Sequence, residues 1–138
     1  MNLIKRSLLI NKVVLPIVSN YLELSDQEYD KIYLMVSALR MSFEQFCWIV
    51  CLCKRFGQTT FEFEEMFLGC FLIVNEFQEQ SVPKRYISNA LQLNCQDLVD
   101  LEMGILTSLD SLRPDKYLYA RLCDIVINAI ACCDLDSI

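Results

Sequence analysis

The stretch FEQFCWIVCLCKRF, residues 43–56, decides the fold. From Phe46 to Cys53 it is apolar on every side, with no two-residue alternation and no Gly or Pro inside it. A run of this length with that pattern reads as a helix, and a helix apolar all round is enclosed by its neighbours. The spacing predicts a helix over 43–56, opened by a capping box at Ser42 and Gln45 and closed at Gly57.

Outward from this helix the chain parses the same way. Before it, Ser25 and Glu28 form a second capping box. Tyr29, Ile32, Tyr33, Val36 and Leu39 then recur at helical spacing, predicting a helix over 26–40. Earlier still, a weak helix is expected over 3–12, with Pro16 interrupting before VSNYLEL. After it, Thr59 and Glu62 make a third box ahead of FEFEEMFLGCFLIVNEF, whose stripe is Phe63, Met66, Phe67, Cys70, Val74 and Phe77. Pro83 opens the short helix KRYISNAL, and Asn94 caps CQDLVDLEMGILTSL, striped by Leu98, Leu101, Ile105, Leu106 and Leu109. Pro114 precedes DKYLYARLCDIVINAIACC, with Leu118, Leu122, Ile125, Val126 and Ala129 inward. The expected architecture is all-α.

Composition restricts the chemistry. The 138 residues fit one domain, and 54% hydrophobic against 22% charged residues excludes a disordered chain. There is no histidine, which removes Ser/His and Cys/His catalysis and every histidine metal site. Three glycines leave little for a phosphate-cradling loop. The net charge of −6 and the scatter of basic residues argue against nucleic acid. Lys5, Arg6 and Lys12 make the first twenty residues basic, which reads as a solubilised helix face. Asn11 and Lys12 interrupt the apolar stretch that a signal peptide would need, and no uncharged run reaches the ~20 residues of a membrane span. Six of the eight cysteines, Cys47, Cys51, Cys53, Cys70, Cys123 and Cys132, lie in apolar helical runs that Cys133 closes, while Cys95 stands at a helix start. They read as reduced core residues of a cytoplasmic or nuclear protein, with no metal and no cofactor. The carboxylates Glu62, Glu64 and Glu65 sit where first-turn acids usually sit, and no catalytic constellation emerges. An enzyme is not expected.

Three segments carry a resemblance. CWIVCLCKRF (47–56) ends in Arg55 and Phe56. MFLGCFLIVNEFQEQ (66–80) contains Phe77 and Glu79. DLVDLEMGILTSLDSL (97–112) contains Leu101, Glu102, Leu106, Leu109 and Asp110. In order and spacing these are similar to the second, third and fifth helices of a cyclin box, with Tyr86 and Ile87 where its short fourth helix lies. Residues 24–112 resemble the single-box cyclins of the phosphate-regulation type. The resemblance implies a five-helix box around a surrounded central helix, with flanking helices at either end, the last over 115–133. It implies a regulatory subunit that binds and activates or redirects a cyclin-dependent kinase. The partner face would hold Glu76, Phe77, Glu79, Glu102 and Lys54, over a core of Trp48, Phe56, Phe67, Leu101 and Leu106.

Two positions depart from the family pattern. Glu76 stands where the third helix of cyclins carries a lysine, and Lys54 stands where the second carries an aspartate. Glu76 and Glu102 are therefore expected to form a negative spot that a partner must meet with a positive group. The alternatives are a cyclin-fold interaction module that activates no kinase, or an unrelated helical adaptor that takes a partner helix in a groove.

Overall fold

The computed structural model describes residues 9–39, 41–55, 61–77, 81–109 and 116–131. The described residues are all-α. A π-helical turn, Ile10–Val14, leads into α1 (Leu15–Leu22), followed by α2 (Asp26–Ala38), α3 (Phe43–Arg55), α4 (Phe63–Glu76), α5 (Lys84–Leu91), α6 (Cys95–Ser108) and α7 (Lys116–Ala131). No helix among them is long and apolar enough to cross a membrane.

The local signals fix most helix starts. Ser25 Oγ accepts from the Glu28 N–H while Glu28 accepts a bond from Ser25 N–H, and Ser42 and Gln45 do the same for α3. Asn94 Oδ1 accepts from Gln96 N at 2.7 Å and opens α6. Helix α4 starts later than its sequence suggests: Glu62 is the N-cap, its N–H donating to Glu65 Oε1. Thr59, Phe56 and Gly57 lie outside the described residues. Two helices close without glycine, since Glu23 and Gln92 take left-handed backbone angles (φ 56° and 55°). Leu93 N then bonds back to Ser88 O, a six-to-one closure that satisfies an end carbonyl.

Pro16 does not interrupt the first helical segment. The preceding turn widens so that Leu15 N–H donates to Ile10 O, five residues back. Pro16 then falls in the first turn of α1, where a missing N–H costs nothing. Asn11, buried in this wide turn, donates to Ser37 Oγ at 2.8 Å and pins the turn to α2.

The core lies along α3 and α4. Phe46, Cys47 and the run Ile49–Cys53 are buried, as the 43–56 pattern implies. The fullest enclosure nevertheless belongs to α4, which is buried without a break from Phe67 to Asn75 because it packs on α2, α3 and α6. Gly69 permits the closest approach, facing Ile105 of α6. Three expected core positions, Trp48, Leu101 and Leu106, differ. Trp48 is half-buried, at the edge of α3, with its ring against Phe77. Phe77 follows the last turn of α4 and is 59% exposed. Leu106 is 38% exposed, at the edge of the inner face of α6 that Leu98, Glu102 and Ile105 occupy; Leu101 is half-buried. Leu122 anchors α7 against the core, with Leu118 half-buried beside it.

Candidate functional site

The C-terminal end of α4, the start of α5 and the middle of α6 meet at one place. Helix α4 brings Glu76 there and α6 brings Glu102. Between them stands Lys84, the first residue of α5. Its Nζ lies 2.9 Å from Glu76 Oε1 and 3.0 Å from Glu102 Oε2. The pair of acids is therefore not a bare negative spot, since a lysine from the next helix bridges them. With all three groups ionised the cluster carries one net negative charge.

The two acids sit in different surroundings. The Glu102 side chain is 11% exposed and that of Glu76 is 56% exposed. Burial, and next the neighbouring Glu76 carboxyl, push the Glu102 carboxyl above the usual carboxylate range, while Lys84 opposes them. Glu76 is held below that range, chiefly by its bond from Lys84. A shared proton therefore belongs to Glu102, the acid with less water. Lys84 is itself raised, first by Glu76 and then by Glu102. The cluster holds two carboxyl groups and an ammonium in a fixed arrangement.

Exposed apolar side chains surround it. Phe77 follows Glu76 directly, its ring centroid 5.8 Å from that of Trp48. On α6, Val99 and Leu106 lie one turn either side of Glu102, at i−3 and i+4, and both are exposed, as is Met103 further round the helix. Charged and apolar side chains thus stand side by side on this face, Glu102 largely withdrawn from water and Lys84 and Glu76 in contact with it. Lys54 is exposed near the end of α3. Glu79 lies outside the described residues.

Two members of the cluster escape a reading of the sequence. Lys84 shows there only as part of a short helix, and nothing in its local pattern pairs it with positions 76 and 102. Asn75 shows only as one polar residue in an apolar run. It is 4% exposed, its Nδ2 donating to Val82 O and its Oδ1 accepting from Val82 N, each at 2.8 Å.

The thiols make a second grouping. No disulfide joins the six described cysteines; Cys47, Cys51, Cys53 and Cys70 are buried, Cys123 is half-buried and Cys95 is exposed at the start of α6. The Cys53 thiol is pushed well up by its bond with Cys70 and by burial, and burial with Cys123 pushes Cys47 up. Thiols shifted this way are poor nucleophiles and poor metal ligands. Among the described residues no three His, Cys, Asp or Glu side chains group as a metal site requires.

Compared with family models, with curated proteins and with solved structures, the chain matches none.

Proposed function

We propose that this chain is a non-catalytic, cyclin-like regulatory subunit that binds a cyclin-dependent protein kinase through the face bearing Glu76, Phe77, Lys84 and Glu102. The observation that carries the reading is the bridge from Lys84 to Glu102. Cyclins present a lysine from the third box helix beside a glutamate from the fifth. Here the third-helix lysine is replaced by Glu76, and Lys84 delivers an ammonium to the corresponding glutamate, Glu102, from the fourth helix. The order of α2 to α6, with α4 enclosed by α2, α3 and α6, also supports a box-like arrangement. Docking on the kinase's regulatory helix would favour the state in which its lysine, glutamate and metal-binding aspartate are aligned. The chain itself supplies only differential binding energy. Glu76 gives the face one more negative charge than a lysine–glutamate pair, so the cognate kinase presents an extra cation to it. The setting is the cytoplasm or nucleus, where the thiols stay reduced.

The test is capture of kinases from native lysate on the immobilised chain, followed by binding and activity measurements with the kinase recovered. Glu102→Ala and Lys84→Glu each change the charge that this face presents, so each should weaken binding measurably. Circular dichroism serves as the folding control. Failure to recover a kinase, or a kinase indifferent to both changes, overturns the reading.

One observation favours a second reading. A cleft of about 510 Å³ between α2, α4, α5 and α6 is lined by Met35, Leu68, Leu91, Leu98 and Leu101, with Glu65, Asp97 and the Lys31–Glu64 ion pair leaving its polar lining net negative. An apolar lining with net negative polar groups suits a basic amphipathic helix, which would make the chain a helical adaptor. A partner whose binding is lost with Leu34→Asp at the cleft wall, and unchanged with Glu102→Ala, decides for the adaptor.

A further inference from the structure

We infer that Asn75 is the positioning residue of this face: by holding the backbone of Val82 it seats Lys84 between Glu76 and Glu102. The description of the face as a partner surface rests on the function proposed above, but the positioning itself does not.

Local preference and tertiary contact conflict at Lys84. It is the first residue of α5, where the helix dipole disfavours a cation. No acid occupies that first turn to offset it. The compensating carboxylates come instead from α4 and α6, at 2.9 and 3.0 Å. The lysine keeps these contacts only if α5 starts at the right place against the end of α4.

Asn75 fixes that place. Its amide forms a two-bond ring with the peptide groups of Val82. Val82 lies two residues before Lys84, and Asn75 lies one residue before Glu76. The clamp and the ion pair are thus joined by short covalent steps on both sides. Only an amide of this length offers a donor and an acceptor in one plane: a carboxylate only accepts, and an aliphatic side chain does neither. Asn75 is 4% exposed, so water does not readily replace it. With the clamp in place the face shows one net negative charge beside Phe77. Without it Lys84 is released, and two acids stand uncompensated there.

A merely structural asparagine would lower stability when removed and leave the acids unchanged. The distinguishing readout is therefore the titration of the Glu76 and Glu102 carboxyl carbons by NMR. It is followed in the parent chain, in Lys84→Met, in Asn75→Ala and in Val82→Pro. Lys84 favours the ionised form of both acids, so Lys84→Met should move both titrations upward. Asn75→Ala should move them in the same direction by a comparable amount, with helical circular dichroism retained. If Asn75→Ala does not fold, Val82→Pro is read in its place, since it deletes one clamp bond from the loop side and changes no charge. Parental titrations in the clamp variants, alongside shifted ones in Lys84→Met, overturn the inference, as do unshifted titrations in Lys84→Met. None of these measurements needs a partner. Failure to find a kinase therefore does not touch the positioning role of Asn75, and loss of the clamp effect does not touch the kinase experiment.

Discussion

Replacing Gly69 with alanine sets local preference against packing, and the two disagree in sign. Gly69 lies in the interior of α4, where alanine is favoured by about 1 kcal/mol, and a buried methyl would add about 0.8 kcal/mol if it had room. It has none. A Cβ at position 69 would lie 3.1 Å from Ile105 Cβ and closer still to Ile105 Cγ1. Ile105 Cβ is fixed by the backbone, and Cγ1 belongs to a fully buried β-branched side chain with one strongly preferred helical rotamer, so side-chain rotation gives little relief and α4 and α6 must move apart. Overpacking of this kind typically costs about 1–3 kcal/mol. A contact with the root of Ile105 puts Gly69→Ala near the upper part of that range, and the propensity gain offsets part of it. The expected net loss is about 1–2 kcal/mol, or roughly 3–8 °C in Tm for a domain of this size.

Thermal and urea unfolding followed by circular dichroism measure the change. A Tm above that of the parent would refute the packing argument, because it is what helix propensity alone requires. A double-mutant cycle sharpens the test. Ile105→Ala alone should cost about 2–5 kcal/mol through the cavity it leaves. In that background the contact with Cγ1 is gone and only the one with Cβ remains, so Gly69→Ala should cost less than in the parent, a coupling of about 1–2 kcal/mol. Glu102 lies one turn before Ile105 on α6, so the single Gly69→Ala variant should also disturb the contact with Lys84.

The Glu64 carboxyl is held below the usual range by Lys31, which bridges to it from α2. A depressed acid contributes stability above its unfolded value, about 4.3, and that contribution is lost as pH falls through the lower folded value. Lys31→Met should therefore narrow the difference between urea midpoints at pH 7 and pH 3, and an unchanged difference would remove the pair from the acid response. Phe77→Ala should strip the cover from Trp48, the single tryptophan, and shift its emission to the red at a cost of about 1 kcal/mol; unshifted emission would mean the two rings do not meet. Under native conditions a maleimide should modify exposed Cys95 faster than buried Cys53, and equal rates would contradict the burial of α3.

The sequence by itself determined the helices. Capping boxes at Ser25 and Ser42 and the cap at Asn94 are local devices, complete within one turn, and they form where the chain places them. The uniformly apolar run from Phe46 to Cys53 reads as an enclosed helix; it is buried except at Trp48, and α4 is the more fully enclosed. Absence of histidine removes histidine-dependent chemistry before any packing. What the sequence left open depends on contacts between helices. Pattern at helical spacing cannot tell which of two adjacent apolar faces turns inward, so Leu106 reads as core yet is exposed, while Glu102 lies inside. Pro16 reads as a break because the local rule assumes an α-turn, whereas Asn11 bonded to Ser37 of α2 supports a wider turn that accommodates it. The cluster of Glu76, Lys84 and Glu102 draws on three helices and on a clamp from Asn75 to Val82. Residues eight and eighteen apart carry no mark of one another along the chain. Only the packing of α4 against α6, close enough to need glycine at position 69, brings their charges within 3 Å, where a lysine on the wrong end of a helix gains its partners.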